Sequence, residues 1–309
     1  CFKGRFLVIL GNYSCMSQQS QEQYQFIERI LKIHVREDVS IEEFQFFYGG
    51  NFNLAVRVKL KSGEFFIKWN QGDHHGLFEA EAKNLQLLAQ TNTLQVPQVI
   101  GVGAIEEKEY LMMECIPSGE INVTYWEDFG RKLALMHHNS SEMGHGLSYT
   151  NYLGAAEQKN EWNLNGLRFF IENRLKKQIE IAVYNRKIDL EMEKKFRQLF
   201  EKLPEIIPNE SSSLMHGDLW SGNVMVNASG QVVLVDPSCY YGLREAELAF
   251  TTMFGGFDKT FYEAYHEAYP IEKGFHERIP IYNLYPLMVH VNLFGEGYVP
   301  AVQKILNSY

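Results

Sequence analysis

The sequence predicts an α+β protein of two lobes: a small antiparallel-sheet lobe carrying one main helix, then a larger, mostly helical lobe with a hairpin set into it. Three observations predict it. Short apolar runs bounded by turn residues fill positions 44–113, as strands do. From Trp126 onward the apolar residues recur at helical spacing. Between them Glu114-Cys115-Ile116-Pro117-Ser118-Gly119 follows neither period and reads as a linker. Residues 17–115 therefore form the first lobe and 116–309 the second. The chain opens on Cys1 rather than Met, so residues 1–16 read as a non-native or disordered extension, with Met16 as the natural start.

The first lobe begins with an amphipathic helix over 18–34, because Gln23, Ile27, Ile30, Leu31 and His34 share one face. Strands are expected at Phe44 to Tyr48, Leu54 to Leu60 and Phe65 to Trp69. The first two flank Gly49-Gly50-Asn51-Phe52-Asn53. A glycine loop between strands can lay backbone N–H groups over phosphates, since glycine allows close approach. Lys68 sits among large apolar residues, where a charge is costly unless paired. The helix that follows carries Glu81 on the stripe of Phe78, Leu85 and Leu88, whereas Glu79 lies off it. That arrangement reads as a buried Lys68–Glu81 pair. Two further strands, Val99 to Ala104 and Tyr110 to Met113, bring the sheet to five. The linker at Glu114, Cys115 and Ile116 would offer backbone groups to adenine.

In the second lobe helices are expected at Trp126 to His137, 162–184, 189–203, Arg244 to Met253, 257–268, 275–294 and 299–307. Ahead of Arg244 lies His216-Gly217-Asp218-Leu219-Trp220-Ser221-Gly222-Asn223. Two apolar runs follow, Val224-Met225-Val226 and Val232-Val233-Leu234-Val235, around Ala228-Ser229-Gly230, and then Asp236. An Asp, an Asn five residues later, and a second Asp beyond a hairpin form a phosphoryl-transfer layout. Asp218 would receive the proton of an attacking hydroxyl. Asn223 and Asp236 would hold the Mg2+ that bridges the phosphates of ATP, and the hairpin would bring them to one end. The chain passes from Asp236 into the Arg244 helix with no long activation segment, which favours a small-molecule kinase over a regulated protein kinase.

Composition narrows the partners. The net charge of −9 argues against nucleic acid or an anionic membrane as the main partner and suits an amine-bearing substrate. No apolar run approaches the ~20 residues of a membrane span. The four cysteines, Cys1, Cys15, Cys115 and Cys239, lack the paired spacing of a zinc site and fit a reduced, cytoplasmic compartment. His74-His75 reads as solvated loop, and His137 and His138 as structural.

The motifs together resemble the fructosamine kinase (ketosamine-3-kinase) family, on the aminoglycoside-phosphotransferase branch of the protein-kinase-like fold. The resemblance rests on His216 to Asn223 with Trp220 after Asp-Leu, and on Asp236-Pro237 with Tyr240-Tyr241-Gly242-Leu243-Arg244-Glu245. It rests also on Asn151-Tyr152-Leu153-Gly154 followed by Gln158 and Asn160, and on Met253-Phe254-Gly255-Gly256-Phe257. It covers roughly residues 20–309. It implies phosphorylation of the 3-hydroxyl of ketosamines, the sugar adducts of amines, whether on free amino acids or protein lysines. The 3-phosphate then falls away and frees the amine. By the same resemblance Lys68, supported by Glu81, would hold the α/β-phosphates and Trp220 would wall the sugar pocket. Some relatives carry Cys where this chain has Asn51, so a redox switch through the glycine loop is not carried over. The alternatives are an aminoglycoside- or choline-type kinase and a silent nucleotide-binding pseudokinase. The segment from Asn151 to Asn160 argues against the first, the complete set of charged residues against the second.

Overall fold

The computed structural model describes residues 6–10, 18–35, 39–47, 53–70 and 76–309. Alternation builds the first lobe. Strands β1 (Phe6–Leu10), β2 (Ile41–Phe47), β3 (Asn53–Leu60), β4 (Gly63–Asn70), β5 (Val99–Ile105) and β6 (Lys108–Glu114) form an antiparallel sheet in the order β1-β2-β3-β4-β6-β5. Residues 6–10, within the stretch read as a non-native or disordered extension, form strand β1. Their backbone pairs with the free edge of β2, Phe6 opposite Phe47 and Leu10 opposite Glu43.

The two faces of the sheet take different partners. Ile67 and Trp69 on β4, with Tyr110 and Met112 on β6, pack under helix α1 (Gln18–His34), which buries Ile27, Ile30 and Leu31. The alternate residues Phe66, Leu111 and Met113 face the other way, toward helix α2 (Leu77–Gln90) and the second lobe. Period two therefore decides that Lys68, between Ile67 and Trp69, points to the cleft face. His34 at the end of α1 bonds the Tyr110 hydroxyl at 2.9 Å.

The second lobe contains α3 (Tyr125–His137), α4 (Gly166–Phe169) running through a π-helical stretch Phe170–Lys176 into α5 (Lys177–Tyr184), and α6 (Leu190–Ile206). After them come α7 (Arg244–Thr251), α8 (Lys259–Ala268), α9 (Phe275–Phe294) and α10 (Val299–Leu306). The helix expected from 162 starts at 166 because Asn165 caps it, accepting from the Arg168 N–H at 2.8 Å. Helix α6 runs past Pro204, where an end was expected. The Ile207 N–H closes its last turn on the Leu203 carbonyl at 2.9 Å.

Pairs of three-residue strands complete the lobe: β7 (Asn151–Leu153) with β8 (Ala156–Gln158), β9 (Ser213–Met215) with β12 (Tyr240–Gly242), and β10 (Val224–Val226) with β11 (Val232–Leu234). The last pair is the expected hairpin, with Val224 opposite Leu234. It also ties the lobes together, since the Leu234 N–H donates to the Gln95 carbonyl at 2.9 Å.

Candidate active site

The site lies where the cleft face of the sheet meets the hairpin. Lys68 is buried and its ammonium donates to Glu81 Oε1 at 2.7 Å and to Asp236 Oδ1. The helical stripe that placed Glu81 inward is the reason: Glu79 is exposed and pairs with Lys83 instead, at 2.8 Å. Burial alone would lower the Lys68 pKa, but the carboxylates of Asp236 and Glu81 outweigh it and raise the value. Burial also pushes Asp236 up, yet the adjacent ammonium prevails and holds its carboxyl below the ordinary range. For Glu81 burial wins over the attraction of Lys68, and its pKa is raised.

Two glycines let the loop before the hairpin turn tightly. Gly217 has φ +83°, and a Cβ there would lie 2.0 Å from the Ser238 carbonyl oxygen. A Cβ on Gly222 would fall 2.2 Å from the Trp220 indole, which lies across it. Asn223 then folds back, its Nδ2 donating to the Asp218 carbonyl and to Asp218 Oδ2, each at 2.8 Å. Burial raises the Asp218 pKa to about 7, with the Asn223 hydrogen bond opposing and the charge of Asp236 adding. His216 is fully buried, and burial lowers its pKa. Its Nδ1 accepts from the Asp218 N–H at 3.3 Å and its Nε2 reaches the Val235 carbonyl at 3.0 Å.

The site has an anchor that sequence reasoning missed. Glu247 on α7 is buried and accepts from the backbone N–H of His216 at 3.1 Å and of Gly217 at 2.6 Å. His137 bonds the same carboxylate at 2.9 Å and the Tyr265 hydroxyl at 2.7 Å, which makes it structural as expected. Burial pushes the Glu247 carboxyl up, but the hydrogen bond and charge of His137 more than compensate, and the pKa is lowered. Only the spacing of Glu247 from Arg244 and Glu245 could have signalled it.

A cleft of about 670 Å³ opens beside Lys68. Glu114, Cys115 and Ile116 line one side, Met225 and Asp236 the other. The Glu114 N–H is engaged by the Gln98 carbonyl at 2.9 Å and that of Cys115 by Glu64 at 3.2 Å. A smaller cavity of about 140 Å³ continues behind it, lined by Asn53, Lys68, Glu81, Asp218 and Asp236. Asn53 Oδ1 is buried there without a hydrogen-bond partner among the described residues. Gly49, Gly50, Asn51 and Phe52 lie outside the described residues, as do His74 and His75. The Trp220 ring meets Phe254 edge-on, centroids 5.4 Å apart, and Phe254 holds a left-handed backbone at φ +56°.

The chain matches the family model described as fructosamine kinase over residues 23–309. It belongs to the fructosamine kinase family. Among curated relatives, a protein of Enterococcus faecium assigned as a ketoamine kinase is 35% identical over 263 residues, 84% of this chain and 93% of the relative. The protein-ribulosamine 3-kinase of Arabidopsis thaliana is 34% identical over 265 residues, 84% of this chain and 80% of the relative. A solved structure from Haemophilus somnus assigned to the fructosamine-3-kinases superposes with a TM-score of 0.82 at 29% identity, covering 91% of this chain and 96% of that one. A spectinomycin phosphotransferase solved with ADP and spectinomycin, at 17% identity and TM-score 0.55, shows the shared two-lobed fold. The chain is thus a phosphotransferase of the ketosamine kinase group with a protein-kinase-like fold.

Proposed function

We propose that the chain transfers the γ-phosphoryl group of ATP to the 3-hydroxyl of a ketosamine, on a free amino acid or a protein lysine, as a deglycation step. The observation that carries this is Lys68 held between Glu81 and Asp236 at the floor of the cleft, with the Asp218 carboxylate fixed by Asn223. Phosphoryl transfer asks for positioning and charge neutralisation rather than covalent chemistry, and this constellation supplies both.

In this reading the linker at Glu114, Cys115 and Ile116 borders adenine, with the Ile116 N–H as donor, since the other two are engaged. Lys68 draws in the phosphates, and Glu81 keeps its ammonium in place. Gly49 to Asn53 cover the phosphates, and the orphaned Asn53 Oδ1 fits a polar ligand at that end. Asp218 accepts the hydrogen bond of the 3-hydroxyl, orients its oxygen and takes its proton as the new bond forms. Trp220 offers an aromatic wall to the sugar or its ammonium. The donor set at Asn223 and Asp236 is all oxygen, which suits Mg2+. That ion is typically held by one or two carboxylates together with substrate phosphates, not by a protein cage. When bound, Mg2+ would neutralise phosphate charge.

No helix among the described residues is long and apolar enough to cross a membrane. The reading is tested by ATP consumption with Mg2+ against ribulose-lysine, fructose-lysine, kanamycin and choline. Turnover confined to the ketosamines is expected and would rank the sugars. Turnover on kanamycin or choline alone, or nucleotide binding without turnover, would overturn it.

A further inference from the structure

Several buried charges stand outside the reaction, and Arg244 and Arg278 are held in ion pairs. Arg174, in the π-helical stretch, is fully buried, and among the described residues it pairs with no carboxylate. Its guanidinium lies over the Tyr240 ring at 3.9 Å and donates to the carbonyls of Lys159 at 3.0 Å and Asn173 at 3.1 Å. A buried cation is costly unless hydrogen-bonded, so its remaining bond is informative. Arg174 Nη2 donates to Asn160 Oδ1 at 2.5 Å. Asn160 Nδ2 donates to Asn151 Oδ1 at 2.8 Å, and Asn151 Nδ2 to Asn84 Oδ1 at 3.4 Å. Asn84 Nδ2 donates to the Pro237 carbonyl at 2.8 Å. Every bond runs in the same sense, away from the cation, and bonds so aligned polarise one another.

The relay ends on the backbone next to Asp236. Asn151 Nδ2 also donates to the Cys239 carbonyl at 2.6 Å, and Gln158 Nε2 to that of Ser238 at 3.4 Å. The three carbonyls after Asp236 are thus all held by side chains of one network. They need holding, because Asp236 is a non-glycine residue at φ +57°. Such a conformation is strained for a residue with a side chain and persists only where its surroundings impose it. Asn84 lies one turn beyond Glu81 on α2, so the same bonds fasten the helix that presents Glu81.

We propose that Arg174, Asn160, Asn151 and Asn84 are positioning residues: a one-way amide relay that fixes the Asp236 backbone and α2 so that Asp236 can take Mg2+ with nucleotide. This gives the Asn151-to-Asn160 segment a task distinct from substrate contact. It rests on the function proposed above for Asp236.

The test compares the parent with Asn84→Ala, Asn151→Ala, their double variant and Arg174→Met. Binding of a non-hydrolysable ATP analogue is titrated against Mg2+ by calorimetry. Values of kcat and KM on ribulose-lysine and thermal midpoints are measured alongside. Partners of metal ligands are typically worth about ten- to a hundredfold in affinity or activity. Each single variant is therefore expected to raise the Mg2+ half-saturation about tenfold and to lower kcat similarly, with the ketosamine KM little changed. The double variant should lose less than the two singles combined, because the Asn151–Asn84 bond they share is broken only once, while each also holds a carbonyl of its own. Should Arg174→Met fail to fold, Asn84→Ala at the far end carries the same readouts. Folded variants that keep the parental Mg2+ half-saturation and kcat, with only a lower thermal midpoint, would overturn the relay and leave a packing role. Additive losses in the double variant would also overturn it. A parent that binds no Mg2+-nucleotide would instead overturn the function proposed for the site, and the relay with it.

Discussion

A single carboxyl illustrates what the residue scale decides. Asp218 follows a left-handed glycine and is held by Asn223, and burial lifts its pKa to about 7. Replacing it by Ala removes the group that orients and deprotonates the acceptor hydroxyl. General-base groups contribute typically about a hundred- to ten-thousandfold, so kcat of Asp218→Ala should fall by that range. Burial disfavours the ionised carboxyl in the fold, so its loss should leave the thermal midpoint unchanged or higher, and nucleotide binding close to parental. Steady-state kinetics with calorimetric nucleotide binding check this. Near-parental turnover would remove Asp218 from the chemistry. The residue was legible because its partners stand at fixed offsets in the chain. Its raised pKa was not, since that depends on which segments of the packed lobes cover it.

At the scale of elements, legibility followed length. Helices α1 and α2 announced themselves by stripes, and the α2 stripe correctly separated Glu81 from Glu79. The β10–β11 hairpin was visible because turn residues split two apolar runs. The three-residue strands β7, β8, β9 and β12 span too few positions to show a period. Glu247 illustrates the same limit: on α7 it looks like an ordinary helix-surface acid, yet it anchors the start of the catalytic loop. It joins α3, α7 and the loop after β9 through one carboxylate. Removing one partner of a buried, charged hydrogen-bonded group typically costs about 3–5 kcal/mol. Glu247→Ala is expected to lose stability in that range by urea unfolding, and Glu247→Gln, which keeps one acceptor oxygen, distinctly less. A loss below about 1 kcal/mol for Glu247→Ala would show that the loop holds its turn without the anchor.

For the molecule as a whole, stability against pH sums groups with opposite signs, so the clean observable is a difference between two proteins. His145, beside the start of α4, supplies one. It is 2% exposed, neither ring nitrogen makes a well-formed hydrogen bond among the described residues, and its Nε2 would lie 2.5 Å from a Cβ on Gly166. Burial lowers its pKa from the ordinary 6.5, against a smaller pull from the Asn163 backbone. The unfolded chain takes up a proton near pH 6.5, whereas the folded chain does so only at lower pH. Between those values the unfolded state binds more protons, and stability falls as pH falls. Replacing His145 by Leu deletes this contribution and leaves every other titrating group in place. The stability of His145→Leu minus that of the parent should therefore be flat above pH 7. Below about pH 6.5 it should climb in favour of the variant, by at most about 1.4 kcal/mol per pH unit, until the folded-state pKa is reached. Urea unfolding of both proteins at pH 7.5, 6.5, 5.5 and 5.0, values spaced at roughly the ~1-unit scale of such shifts, measures that slope. Any constant offset from repacking against Gly166 and Phe169 cancels in it. A flat difference throughout would mean that the ring titrates alike in both states, and so that the segment around β7 and α4 admits water to His145 in the native protein.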